Sequence, residues 1–168
     1  MHRWKLFVPL HYNMVDYTSS PFLVLLADDD ASDRILFKDA IQQLDLKVSL
    51  KMFEGGIHLM KHLNDKKNIL PDFIFLDLNM PGKNGFECLE ELRSDDRLKN
   101  ICVIIYSTSS KLEDINESLN KGANLYFAKS STFQELINRL QRIFGMNWEE
   151  FNSEPCLEKF VLMDEVRF

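Results

Sequence analysis

Four groups of polar residues follow directly on runs of apolar ones: Asp28-Asp29-Asp30, Asp77, Ser107-Thr108-Ser109-Ser110 and Lys129. Carboxylates drawn into one small cleft repel each other unless positive charge lies between them. A hard divalent cation supplies that charge. Mg²⁺ suits best, because it takes one or two carboxylates, a carbonyl and several retained waters. With the metal held by Asp29 and Asp77, one oxygen of Asp77 stays free as a nucleophile, and aspartyl phosphate is established carboxylate chemistry. The metal and the Lys129 ammonium would neutralise the charge that grows on a transferring phosphoryl group. Ser107 could donate a hydrogen bond to a phosphoryl oxygen if its strand holds it within reach.

Those residues must be carried to one place by the elements before them. Phe73-Ile74-Phe75-Leu76 reads as a strand buried on both faces that stops at Asp77, and Pro81, Gly82, Asn84 and Gly85 supply turn chemistry beyond it. Residues 22–27 are a second continuous apolar run, ending on Asp28. Residues 47–53 alternate as an outer strand does, residues 101–106 stop at Ser107, and residues 125–128 stop at Lys129. Helical spacing falls between the strands. The apolar stripes run through Ile35, Leu36, Ala40, Ile41 and Leu44; Ile57, Met60 and Leu63; Phe86, Leu89 and Leu92; Leu112, Ile115 and Leu119; and Phe133, Leu136, Ile137, Leu140 and Ile143. Asp30 reads as a helix cap, with Asp33 part of the same helix start. Five alternations of strand and helix predict a flavodoxin-like, doubly wound, five-stranded parallel sheet in three α/β/α layers. Ligands of such sheets bind at the carboxyl rim of the strands.

The chain has 168 residues, 45% of them hydrophobic, which is enough for one domain with tails and too little for two. We expect an N-terminal extension over 1–20, a domain over 21–145 and a tail over 146–168, with Met14 as the natural start. A net charge of −6 argues against nucleic acid as a partner, since phosphates call for clustered Lys and Arg. Cys88, Cys102 and Cys156 lack metal-ligand spacing and suit a reducing, cytoplasmic setting. No apolar run approaches the roughly 20 residues of a membrane span, and the basic start lacks the apolar core of an export signal. The tail, with Trp148, Phe151, Leu157, Phe160, Val161, Leu162 and Phe168, is too apolar for a free linker. It is expected to pack back on the domain or on a second subunit, which makes a homodimer one outcome. The residues after Phe144 are too few for a helix-turn-helix output domain.

Taken together, Leu26-Ala27-Asp28-Asp29-Asp30, Phe75-Leu76-Asp77 through Gly85, Tyr106-Ser107-Thr108 and Gly122 through Lys129 resemble the receiver domain of two-component response regulators over roughly residues 21–145. The resemblance implies the CheY-like form of the flavodoxin-like sheet. It implies Asp77 as phosphoacceptor, Asp29 as direct Mg²⁺ ligand, Asp28 as an acid acting mainly through a water, and the carbonyl of Asn79 as a further ligand. By the same resemblance Ser107 and Lys129 hold the phosphoryl group, and Tyr126 is the aromatic switch. A sensor histidine kinase or a small phosphodonor would load Asp77, and a downstream protein would read the fourth helix, fifth strand and fifth helix. Asn79 and Ser109 would flank the phosphoryl group and tune its hydrolysis. Two positions depart from the family pattern: Ser130 stands where a proline usually follows the lysine, and Ser107 where threonine is commoner.

Other readings stay open on the residues alone. Ser107 could bond its own backbone at a strand end, Lys129 could be a solvated charge, and Tyr126 could be a plain β-former. His11, His58 and His62 read as surface residues and Lys83 as a loop charge. A phosphorelay intermediate passing its phosphoryl group to a histidine protein would use the same site. So would a Mg²⁺-dependent phosphohydrolase, although such enzymes place a second acid where this chain has Asn79.

Overall fold

The run Phe73-Ile74-Phe75-Leu76 becomes the central strand, buried at every position. The computed structural model describes residues 21–129, 132–146 and 161. The readings for residues 1–20, for Cys156, for the Lys129-Ser130 bond and for most of the tail lie outside those residues. In chain order the elements are β1 (Phe22–Ala27), α1 (Ala31–Gln42), β2 (Val48–Phe53), α2 (Gly56–Asn64), β3 (Phe73–Leu76), α3 (Gly85–Ser94), β4 (Cys102–Ser107), α4 (Leu112–Asn120), β5 (Leu125–Ala128) and α5 (Phe133–Gly145). All strand pairs are parallel, in the order β2-β1-β3-β4-β5. This is the flavodoxin-like sheet that the alternation predicts.

Period-two alternation splits the central strands between two cores. Val24, Leu26, Phe73, Phe75, Ile104 and Tyr106 face α1 and α5 in one cluster, where Phe37, Leu140 and Phe144 meet them. Leu25, Ala27, Ile74, Leu76, Val103 and Ile105 face α2, α3 and α4 in the other, against Leu59, Leu89 and Ile115. The interiors of β1, β3 and β4 are therefore apolar on both sides. Polar chemistry has nowhere to go but the strand ends.

The helix stripes differ from expectation at specific positions. Ile57, Leu112 and Phe133 are exposed rather than buried, while Leu59, Cys88, Ser118 and Phe144 take core places. Each of those three exposed residues lies in the first turn of its helix, where the helix overhangs the carboxyl rim and there is no sheet left to cover it. Ile35 and Leu36 of α1 are exposed too. His62 is half-buried against the Phe53 ring, with centroids 5.1 Å apart, so it is not the surface residue its sequence neighbours suggest. His58 is exposed beside Glu54. Among the described residues, no helix is long and apolar enough to cross a membrane.

Beyond β3 the chain turns through Gly82, at φ 80°, and enters α3 through a capping box between Asn84 and Glu87. Gly85 donates its N–H to the Leu78 carbonyl and packs so closely that a Cβ there would lie 2.3 Å from the Asp77 carbonyl oxygen. Far along the chain, Val161 forms a parallel bridge with Tyr126 on the open edge of β5 and packs against the second core.

The Gly85 contact yields a paired prediction. Gly85→Ala should lower stability by about 1–3 kcal/mol through overpacking against backbone, whereas Gly145→Ala, with no described residue within 4 Å, should be neutral or stabilising. Urea denaturation of both variants measures this, and equal midpoints would show that the α3 entry can yield.

Candidate functional site

Two adjacent strands set the spacing of the acids. β1 and β3 pair with Ala27 opposite Leu76, so the next residues, Asp28 and Asp77, emerge side by side at the rim. Asp77 donates its N–H to the Ala27 carbonyl at 2.9 Å, and Asp28 donates to the Phe53 carbonyl at 3.1 Å. Both are buried, while Asp29 is exposed. Carboxylate oxygens of Asp28, Asp29 and Asp77 lie within 4.8 Å of one another. Arg34 holds the loop below them, its Nη1 donating to the carbonyls of Asp28 at 2.7 Å and Asp29 at 2.9 Å. Asp30 is turned away, accepting from the backbone N–H groups of Ser32 and Asp33 as the cap of α1.

Lys129 comes from the other side. Its backbone N–H donates to the Ser107 carbonyl at 2.8 Å, and its ammonium stands 5.4 Å from the centre of the Tyr106 ring. Nζ lies 2.7 Å from Asp33 Oδ2, 2.8 Å from Asp28 Oδ2 and 3.5 Å from Asp77 Oδ2. Burial works against the charge on this lysine, but the bonds to Asp28 and Asp33 and the charge of Asp77 outweigh it and raise its pKa. For Asp28 burial itself dominates. It lifts the carboxyl above its ordinary 3.8 despite the opposing pull of Lys129.

The donor set fits a hard cation. Among the described residues no hydrogen-bond donor meets the buried Asp77 Oδ1, a costly state for a carboxylate oxygen unless positive charge faces it. With Asp33 there are four carboxylates against the Lys129 ammonium and the Arg34 guanidinium, which leaves a surplus of negative charge. An all-oxygen cluster of this kind matches Mg²⁺. Asn79 is exposed two residues past Asp77.

Ser107 ends β4 fully buried, and its Oγ accepts the N–H of Ser109 at 3.3 Å. Tyr126 is buried. Its hydroxyl donates to the Ser109 carbonyl at 2.9 Å, and burial raises its pKa. The hydroxyl of Ser109 in turn donates to Asp114 Oδ2 on α4 at 2.5 Å. A continuous set of bonds thus links Ser107, through Ser109, to β5 and α4.

Two participants escape a reading of the sequence. Asp33 looks like a helix-start acid, and its bond to Lys129 joins residues 96 positions apart. Arg34 carries no local signal for its hold on the acidic loop.

Comparison with known proteins accords with this geometry. The family model described as the response regulator receiver domain matches residues 24–141. The response regulator Rcp1 of Synechocystis sp. is 29% identical over 147 residues, covering 85% of this chain and 99% of its own length. The chemotaxis protein CheY of Pseudomonas aeruginosa is 30% identical over 122 residues, covering 72% and 94%. Among solved structures, the Mn²⁺-bound form of Rcp1 superposes with a TM-score of 0.69 at 28% identity, covering 77% of this chain and 96% of that one. The phosphorylated cyanobacterial phytochrome response regulator RcpA gives 0.68 at 31%, covering 74% and 91%.

The raised pKa of Asp28 has a consequence for stability. Charging this carboxyl costs more in the folded than in the unfolded chain, so the cost is absent below about pH 3.8 and grows as pH rises toward and through the raised value. Asp28→Asn should therefore raise the thermal midpoint in chelator at pH 7 by about 2–5 °C, with the gain fading toward pH 3. Added Mg²⁺ should stabilise the native sequence more than the variant; a lower midpoint for Asp28→Asn in chelator would overturn the assignment.

Proposed function

Since the chain belongs to the response regulator receiver domain family of two-component systems, we propose that it is a phosphorylation-controlled binding module with Asp77 as its phosphoacceptor. The observation that carries this is the convergence of the Lys129 ammonium and the carboxylates of Asp28 and Asp29 on Asp77, whose Oδ1 meets no donor among the described residues. Other placements support it. Asp77 is the nucleophile that the strand register sets beside Asp28, and Gly85 packs against its backbone.

In this reading a carboxylate oxygen of Asp77 attacks the phosphorus of a phosphohistidine on a sensor kinase, or of a small acyl phosphate. The new O–P bond forms as the bond to the imidazole or acyl leaving group breaks. Asp29, Asp77 and the carbonyl of Asn79 would hold Mg²⁺ directly, with Asp28 acting through a water, and the metal when bound would offset charge on the phosphoryl oxygens. Lys129 supplies a second positive charge from the opposite side, and Ser107 a hydroxyl at the end of β4. The chain is then a self-catalysed acceptor and not a turnover enzyme. Asn79, in place of a second acid, weighs against hydrolase chemistry.

The bonds from Ser107 through Ser109 to Tyr126 and Asp114 give the rim a route to α4 and β5. Tyr126 is buried with its hydroxyl on the Ser109 carbonyl, and the switch would act by changing which partners these hydroxyls keep. A downstream protein would read α4, β5 and α5. Val161 on the β5 edge supports a tail that packs on β5, of its own domain or of a second copy. The buried free thiols Cys88 and Cys102 suit the cytoplasm.

Incubation with Mg²⁺ and acetyl phosphate, followed by intact mass, tests the reading. One labile phosphoryl adduct is expected on the native sequence, and none on Asp77→Asn or in EDTA. An adduct that persists in Asp77→Asn would place the acceptor elsewhere.

A further inference from the structure

We infer that Asp33 is a positioning residue for Lys129: it holds the ammonium at the rim and competes for it with a phosphoryl group on Asp77. The inference rests on the phosphoacceptor reading and adds a residue to it. Among the described residues Lys129 has three carboxylate neighbours, and two of them, Asp28 and Asp77, belong to the cluster whose oxygens converge within 4.8 Å. Asp33 does not. A cation drawn to that cluster takes up the charge of Asp28 and Asp77, and Asp33 is left as the counter-ion of the lysine.

Geometry makes Asp33 a holder that can let go. Its backbone N–H donates to the Asp30 carboxylate at the start of α1, which fixes where the side chain begins. Its contact with Nζ, at 2.7 Å, is the shortest of the three, while Asp77 Oδ2 stands at 3.5 Å, the limit of a hydrogen bond. The ammonium is therefore drawn toward α1 and away from the acceptor. The Asp33 side chain is 31% exposed and that of Asp28 is 0%. Release of Lys129 from Asp33 returns a carboxylate to water; release from Asp28 would strand one in the interior. As phosphoryl oxygens develop on Asp77, Lys129 leaves or shares Asp33 to meet them.

Initial rates of Asp77 phosphorylation by acetyl phosphate at saturating Mg²⁺ read this competition. Asp33→Asn is expected to speed the step by about three- to fivefold, the weight of a partly exposed ion pair; Asp33→Glu should return it toward the native rate. In a Lys129→Met background Asp33→Asn should have no effect. An unchanged or slower rate in Asp33→Asn would overturn the inference, and so would an equal gain without Lys129, which would mark a general charge effect. A second measurement needs no phosphoryl group. In ¹H–¹⁵N spectra of the lysine ammonium groups with saturating Mg²⁺, the Lys129 signal, assigned by its loss in Lys129→Met, should be protected in the native protein and in Asp33→Glu and lost to exchange in Asp33→Asn. Its persistence in Asp33→Asn would refute the pairing. A native protein that takes up no phosphoryl group would sink the phosphoacceptor reading instead, and the ammonium spectrum would still decide whether Asp33 holds Lys129.

Discussion

The ammonium of Lys129 among the carboxylates of Asp28, Asp33 and Asp77 is the arrangement on which the rest of the site depends. Two of those acids are buried, and an interior charge is tolerated only when paired. Lys129 comes from β5 and the two buried acids from β1 and β3, with β4 lying between them in the sheet. The lysine must reach across that strand. The Tyr106 ring of β4 lies beneath the ammonium, so a face of aromatic charge density supports the crossing.

A cluster so short of positive charge needs a stiff frame, because any slackening lets like charges separate. The frame is the double core. Phe37, Phe75, Tyr106 and Phe127 pack edge to face or tilted beneath the rim, with centroids 4.8–6.5 Å apart. On the other side, the loop after Asp77 is held by the close approach of Gly85 to the Asp77 carbonyl and by the capping box of α3. Arg34 pins the carbonyls of Asp28 and Asp29 from below. The side chains that carry the chemistry stand on backbone that has little freedom to relax their repulsion.

The same rim connects to an outer surface. Ser109 accepts from Tyr126 on one side and donates to Asp114 on the other, while its own N–H reaches the Ser107 oxygen. A change in what Ser107 bonds would therefore be felt at the edge strand and at α4 through short, direct contacts. Tyr126 also carries the bridge to Val161, which brings the far end of the chain to that edge. Site and surface are separated by a few hydrogen bonds rather than by a long path through the core.

Four apolar runs halted by acids, a hydroxyl and a lysine, with the alternation of residues 47–53, were enough to read the five strands, the parallel sheet and the rim at which Asp28, Asp77, Ser107 and Lys129 stand. A strand buried on both faces leaves its signal in consecutive residues, and its end is where the run stops. The helix stripes were less legible. Ile57, Leu112 and Phe133 satisfy helical spacing but overhang the sheet, and spacing along one helix carries no record of where the neighbouring layer ends. Asp33 shows the same limit more sharply. Its sequence context is that of a helix cap, yet it stands 2.7 Å from a lysine 96 residues away. The sequence by itself determined which residues reach the rim, since that follows from local hydrophobic patterning. Tertiary structure alone decided which partner each of them takes there, since that depends on how separate strands and helices converge in space and on how their charges balance once water is gone.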